Sequence, residues 1–181
     1  MTAPGLLAPL GSGEDIAITD GPGRETWTGK RIAVVNAQAG QPTDLSPADS
    51  ASFAPAWSPN GSQIAFVSEP DKGAATAGAD QSLLTADRRI WVMAWDGSDQ
   101  RQLTSDQTYR DARPLWSADG SQVLFARLDA ALNASLWLVA SDGGTPRRVV
   151  DVVGALAAGV QDHLGLVSWD AIYDYWAGPP G

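Results

Sequence analysis

The chain has 181 residues, a formal net charge of −9 and no cysteine. So acidic a balance opposes contact with phosphate backbones, and no nucleic-acid partner is expected. The missing thiols exclude disulfides, thiolate metal sites and cysteine nucleophiles. Hydrophobic residues at 44% predict a globular chain, and 19 Gly with 12 Pro suit short strands joined by tight turns.

In chain order, the opening MTAPGLLAPLGSGED carries neither a basic n-region nor a long apolar stretch, and no signal peptide is expected in it. A weak repeat copy follows. PLGSGEDIAIT (Pro9–Thr19) lies over the later WSPNGSQIAFV, and RIAVVNAQAGQPTDLS (Arg31–Ser46) over RIWVMAWDGSDQRQLT. Two strong copies come next. PAWSPNGSQIAFVS (Pro55–Ser68) matches PLWSADGSQVLFAR (Pro114–Arg127) at a constant offset that pairs Trp57 with Trp116, Gly61 with Gly120 and Phe66 with Phe125. RIWVMAWDGSDQRQLT (Arg89–Thr104) matches SLWLVASDGGTPRRVV (Ser135–Val150), pairing Trp91 with Trp137. A degenerate copy closes the chain, with ALAAGVQDHLGLVSW (Ala155–Trp169) as an opening hairpin and AIYDYW (Ala171–Trp176) as a further strand. The apolar run Val149–Val160 is short and holds Asp151, so no membrane insertion is expected.

Each copy reads as an antiparallel meander. Short β-rich runs such as QIAFVS are bounded by Asn60-Gly61, Asp96-Gly97, Asp119-Gly120 and Asp142-Gly143, which supply the positive φ that tight turns need. The string Pro-x-Trp-Ser-Pro-x-Gly-Ser-x-Ile-Ala-Phe, then Ile-Trp-Val-Met-x-x-Asp-Gly, then Arg-Gln-Leu-Thr, resembles the TolB-like β-propeller repeat, a WD-like propeller repeat. The resemblance covers most of the chain. It implies an all-β fold, a partial β-propeller of about three to four four-stranded antiparallel blades. The expected organisation is one propeller domain or fragment over 1–181, with repeats at 5–50, 51–106 and 107–150 and a degenerate one at 151–181. It further implies a bacterial, extracytoplasmic (periplasmic or secreted) module used for protein contacts. Such propellers also gate peptidases. So few blades leave an open edge, which predicts a piece of a longer chain, a ring completed by self-association through blade edges, or an open arc.

Strand parity sends the tight turns to one end of the blades and the longer connections to the other. The long-loop end carries Glu69–Arg88 and Ser105–Arg113. The first is Ala/Gly-rich, which suits disorder. The second delivers Tyr109, Arg110, Asp111 and Arg113, the candidate contacts for a protein or peptide partner. The plainer reading is that Asp111 caps a turn and the arginines are solvated. Trp57, Trp91, Trp116 and Trp137 recur at matched positions and belong to inter-blade packing. Trp27 and Trp95 break the repeat and are candidate stacking platforms for a carbohydrate or peptide. Trp169, Trp176, Tyr173 and Tyr175 form an aromatic C-terminal cluster suited to docking.

Catalytic chemistry finds little support. The single His163 lies in the degenerate copy, and no Gly-x-Ser-x-Gly elbow or Rossmann glycine pattern occurs. No catalytic residue, metal site or cofactor is expected, although the acids at Asp96, Asp99, Asp106 and Asp111 leave calcium open. Three functions follow: a non-catalytic protein-binding scaffold, the gating propeller of a peptidase or other hydrolase with its catalytic domain elsewhere, and a carbohydrate-binding module.

Overall fold

The computed structural model describes residues 15–21, 29–38, 40–71, 87–131 and 133–152. The opening hairpin and further strand expected of the degenerate C-terminal copy (155–176), Trp27, His163, Trp169, Tyr173, Tyr175 and Trp176 lie outside these residues. All elements described belong to one compact unit, Met1–Asp151.

Among the described residues, eleven strands form three antiparallel sheets. The first sheet holds β1 (Asp15–Asp20), β2 (Arg31–Asn36) and β3 (Pro42–Asp44). The second holds β4 (Ser50–Trp57), β5 (Gln63–Pro70), β6 (Arg89–Ala94) and β7 (Arg101–Gln102). The third holds β8 (Arg110–Trp116), β9 (Gln122–Leu128), β10 (Ala134–Ala140) and β11 (Arg147–Asp151). Strand order follows chain order in each, so each sheet is a meander, as the repeats predict. The stretch before Pro9, which the repeat aligns with β4 and β8, lies outside the described residues.

The motif Trp-Ser-x-x-Gly-Ser builds the β4–β5 and β8–β9 turns identically. Gly61 and Gly120 adopt φ of 69° and 71°, and their amides donate to Ser58 O and Ser117 O at 2.9 Å. The Asn60 and Asp119 side chains accept from the serine hydroxyls and from the Ser62 and Ser121 amides. These Asx turns tie the hairpins shut. β4 and β8 also share a bulge that periodicity does not reveal. Their register shifts between Phe53 and Ala56, and between Ala112 and Leu115. Ala54 and Arg113, at equivalent positions, take φ of 53° and 52°.

Both faces of the middle strands are apolar because sheets stack on both sides. β5 alternates Ile64 and Phe66 toward the first sheet with Ala65 and Val67 toward the third. One core joins Ala17 and Ile32 to Trp57, Ile64, Phe66 and Met93, with Trp91 packed against it. The other joins Val67, Ile90, Val92 and Leu103 to Trp116, Val123, Phe125 and Val139, with Trp137 against it. Each large side chain so buried contributes about 1.5–3 kcal/mol. The matched tryptophans are therefore blade-packing residues, and Trp57 and Trp116 are buried.

Polar brackets repeat with the same period. Lys30 O accepts from the Ser52 amide at 3.0 Å, and Arg88 O from the Asp111 amide at 3.1 Å. The Arg31 guanidinium reaches Ser50 O, and the Arg89 guanidinium reaches Tyr109 O at 3.0 Å. Each arginine thus clasps the entry to the next blade.

Candidate functional site

Strand parity is realised in the hydrogen bonding. Trp95 N donates to Ser62 O at 3.0 Å, so the β4–β5 and β6–β7 turns share one end. Asp71 N donates to Asp49 O at 2.9 Å, so the β3–β4 and β5–β6 connections share the other. At this second end a cavity of about 630 Å³ opens on the face that the second blade turns to the first. Phe66 and Trp91, directly cross-strand, wall it. Ser68 and Arg89, the next pair along, lie beside them, with Ser50 and Asp49 from the incoming connection.

Register equates each wall residue with one in the third blade. Phe66 opposite Trp91 corresponds to Phe125 opposite Trp137, and Ser68 opposite Arg89 to Arg127 opposite Ser135. Ser52 opposite Ser68 corresponds to Asp111 opposite Arg127, which places Ser50 in register with Tyr109. In the third blade the space is filled from within. The Arg127 guanidinium lies 4.6 Å from the Trp137 ring centroid, 5.0 Å from Tyr109 and 5.2 Å from Phe125. Asp111 accepts from its Nε at 2.7 Å and from Nη2 at 3.2 Å. Both side chains are buried. A buried charge needs this pairing, and ring faces suit a planar cation. In the second blade Ser50, Ser52 and Ser68 stand at the three equivalent positions, and Trp91 is half-buried at the cavity while Phe66 is buried in the core.

The electrostatics of the cavity follow from its rim. Asp49, Asp87 and Arg89 line it, and Glu69 beside them is held by Arg88. Arg89 Nη1 donates to Arg88 O at 2.6 Å and to Tyr109 O at 3.0 Å. Glu69 and Arg88 pair at 3.4 Å, and burial lowers the Arg88 pKa despite the neighbouring carboxylate. Asp106, near the rim, has its pKa lowered because Thr108 donates to it from Oγ1 at 2.7 Å and from its amide at 3.0 Å.

Two of the residues singled out in the sequence meet here. Tyr109 and Asp111 join one cage, with the Tyr109 ring 5.8 Å from that of Trp137. Asp111 is fully buried on Arg127, and the acid that caps the loop is Asp106. Arg110 begins β8, and burial lowers its pKa. Arg113 occupies the β8 bulge. Trp95 is 56% exposed but belongs to the opposite, tight-turn end. Sequence reasoning missed Arg127, Ser68 and the double role of Trp91. The signal was the gain of a charge at the end of two well-matched segments, Ser68 against Arg127.

No family model matches the chain. A putative TolB from Agrobacterium tumefaciens superposes with a TM-score of 0.63 at 22% identity, over 84% of this chain and 51% of that one. The fold is that of a TolB-like β-propeller. A prolyl endopeptidase superposes with a TM-score of 0.60 at 14% identity, over 83% of this chain and 22% of that one. In sequence, 70 residues are 34% identical to YuxL, an uncharacterised peptidase of Bacillus subtilis, covering 39% of this chain and 8% of the peptidase. The chain therefore spans about half the length of the first structure and a small part of the curated relative. Among the described residues there is no cluster of three or more His, Asp or Glu arranged to hold a metal, and no helix long and apolar enough to cross a membrane.

Proposed function

We propose that this propeller is a non-catalytic interaction module whose protein partner docks on the long-loop end of the blades. The observation that carries the reading is the cavity between the connections, where the half-buried Trp91 forms part of the wall over a packed core that holds Phe66. Aromatic walls with a polar rim are the composition of a binding hot spot. The likeness to TolB supports an extracytoplasmic setting, which fractionation of the producing cell tests.

A second reading has its own support in the stretch similar to a peptidase. In it the same end faces a catalytic domain supplied by a longer chain, and the partner is the substrate in transit. Selection of displayed peptides against the 181-residue chain, followed by calorimetry, tests the interaction reading. Ligands are expected whose affinity falls at least about tenfold on Trp91→Ala or Tyr109→Ala, the size of a hot-spot loss. Ligands indifferent to both substitutions overturn it.

A further inference from the structure

We propose that the cavity of the second blade takes the side-chain carboxamide of an asparagine or glutamine presented by a partner polypeptide, with Trp91 as hydrogen-bond donor and Gln102 as acceptor. The inference rests on the interaction reading and names the chemistry of that site.

The donor is the Trp91 indole. In the third blade the equivalent Trp137 Nε1 donates to Ser135 Oγ at 2.9 Å, two residues back on the same strand. In the second blade that place belongs to Arg89. Its guanidinium has donors alone, and Nη1 is directed to the carbonyls of Arg88 and Tyr109. Trp91 lines the cavity and is half-buried, and its Nε1 has no acceptor among the described residues. An indole N–H enclosed by protein ordinarily finds a partner, so this one is placed to meet an acceptor on a ligand.

The acceptor stands beside it. β6 and β7 pair Trp91 with Gln102, so the two side chains rise from directly opposed positions on one face, and both line the cavity. Gln102 Nε2 donates to Thr104 O, which sets the orientation of the amide and leaves Oε1 as an acceptor. Gln100 is arranged alike, its Nε2 spent on the carbonyls of Leu45 and Gly97. A primary carboxamide carries an acceptor oxygen and a donor nitrogen on one edge and meets the Trp91–Gln102 pair at both points. Other groups of a polypeptide meet it at one. A trans peptide bond turns its C=O and N–H to opposite sides. A guanidinium has donors only and leaves the indole unmet, and a carboxylate has acceptors only and leaves the glutamine oxygen unmet.

The test uses the full chain and the peptide acetyl-Gly-Gln-Gly-N-methylamide. Its counterparts carry glutamate, or a glutamine dimethylated on the side-chain nitrogen, which keeps the carbonyl and loses the donors. Binding is followed by NMR at the Trp91 indole N–H and the Gln102 side-chain amide. Saturable shifts of both are expected with the glutamine peptide, and about fivefold weaker affinity with either counterpart, the size of one lost hydrogen bond. Gln102→Met keeps the length of the side chain and removes the acceptor. It is expected to weaken the glutamine peptide about fivefold and to leave the dimethylated one unchanged. Trp91→Phe keeps a ring and removes the donor, with about fivefold loss for both peptides. If Trp91→Phe fails to fold, the exposed Gln102 carries the test. Equal affinity for the three peptides, absence of saturable shifts, or glutamine-peptide affinity unchanged in Gln102→Met overturns the proposal. Saturation of the same resonances by methyl glucoside and not by the glutamine peptide overturns it in favour of a sugar diol. Displayed ligands that need Trp91 but tolerate loss of every asparagine and glutamine overturn the carboxamide assignment and leave the interaction reading standing. An absence of displayed ligands at this face overturns the interaction reading itself.

Discussion

Asp111 holds Arg127 across the third blade with two hydrogen bonds of 2.7 and 3.2 Å, at the register position where the second blade places Ser52 against Ser68. Removing only the carboxylate leaves a buried guanidinium without its counter-ion. Asp111→Ala is expected to cost about 3–5 kcal/mol, read from urea denaturation midpoints. Asp111→Ser with Arg127→Ser copies the second blade and is expected to cost at least about 1 kcal/mol less, because no charge is stranded. A double variant as damaged as the single one would show that packing, and not the pair, sets the cost.

The two buried tryptophans that open the hairpins differ in one bond. Trp116 Nε1 donates to Ala56 O in the preceding blade at 2.9 Å. Trp57 Nε1 is buried and has no partner among the described residues. Trp116→Phe therefore breaks a satisfied hydrogen bond and strands a carbonyl, for a cost of about 1–3 kcal/mol beyond lost packing. Trp57→Phe removes a donor that is already unsatisfied, so its cost is expected to be smaller by about 1 kcal/mol. Paired thermal melts decide it, and equal destabilisation would mean that Trp57 has an acceptor after all.

What could be read in advance and what could not divide along physical lines. The hairpins were legible because Asn-Gly and Asp-Gly name their own backbone conformation, and Gly61, Gly97, Gly120 and Gly143 all have positive φ. The blade cores were legible because Trp and the β-branched residues recur with the repeat. The β4 and β8 bulges were not, since Ala54 and Arg113 carry no glycine to announce left-handed backbone. Asp111 read as a loop charge because its partner, Arg127, lies 16 residues away, where only cross-strand register brings the two together. The cavity was hidden for a related reason. It arises from what Ser50, Ser52 and Ser68 leave unfilled, and composition does not register an omission.

The two hairpin turns offer a pH experiment with its own control. Asp119 accepts from Ser117 Oγ, and from the Ser121 amide and hydroxyl, and these bonds lower its pKa to about 2. A carboxylate held below its unfolded value of about 3.9 contributes stability that is present above that value and lost as pH falls toward the folded one. Stability is therefore expected to decline between about pH 4 and pH 2. Asp96, Asp106 and Asp129, also lowered by hydrogen bonds, act in the same direction. Asn60 makes the equivalent bonds in the second blade without titrating. Asp119→Asn is thus expected to keep the turn and flatten part of the acid decline in urea melts at stepped pH. An unchanged slope would remove Asp119 from the acid response.

Gly97 and Gly143 occupy equivalent turns with φ of 86° and 109°, yet their surroundings differ. A Cβ on Gly97 would stand 3.2 Å from Leu45 Cβ and 3.3 Å from Leu45 O, on the connection from the preceding blade. A Cβ on Gly143 would meet nothing within 4 Å. Both Gly→Ala changes incur the left-handed backbone cost of about 1–2 kcal/mol. Only Gly97→Ala also pushes two blades apart, because Leu45 is backed by Gln100, whose Nε2 donates to the Leu45 carbonyl at 2.9 Å. Gly97→Ala is therefore expected to exceed Gly143→Ala by about 1 kcal/mol, the usual range for overpacking. Chemical denaturation of both variants, with Gly97→Ala repeated in a Leu45→Ala background, isolates the contact. The excess should vanish once Leu45 is shortened, and an excess that survives would place the strain within the turn instead of between the blades.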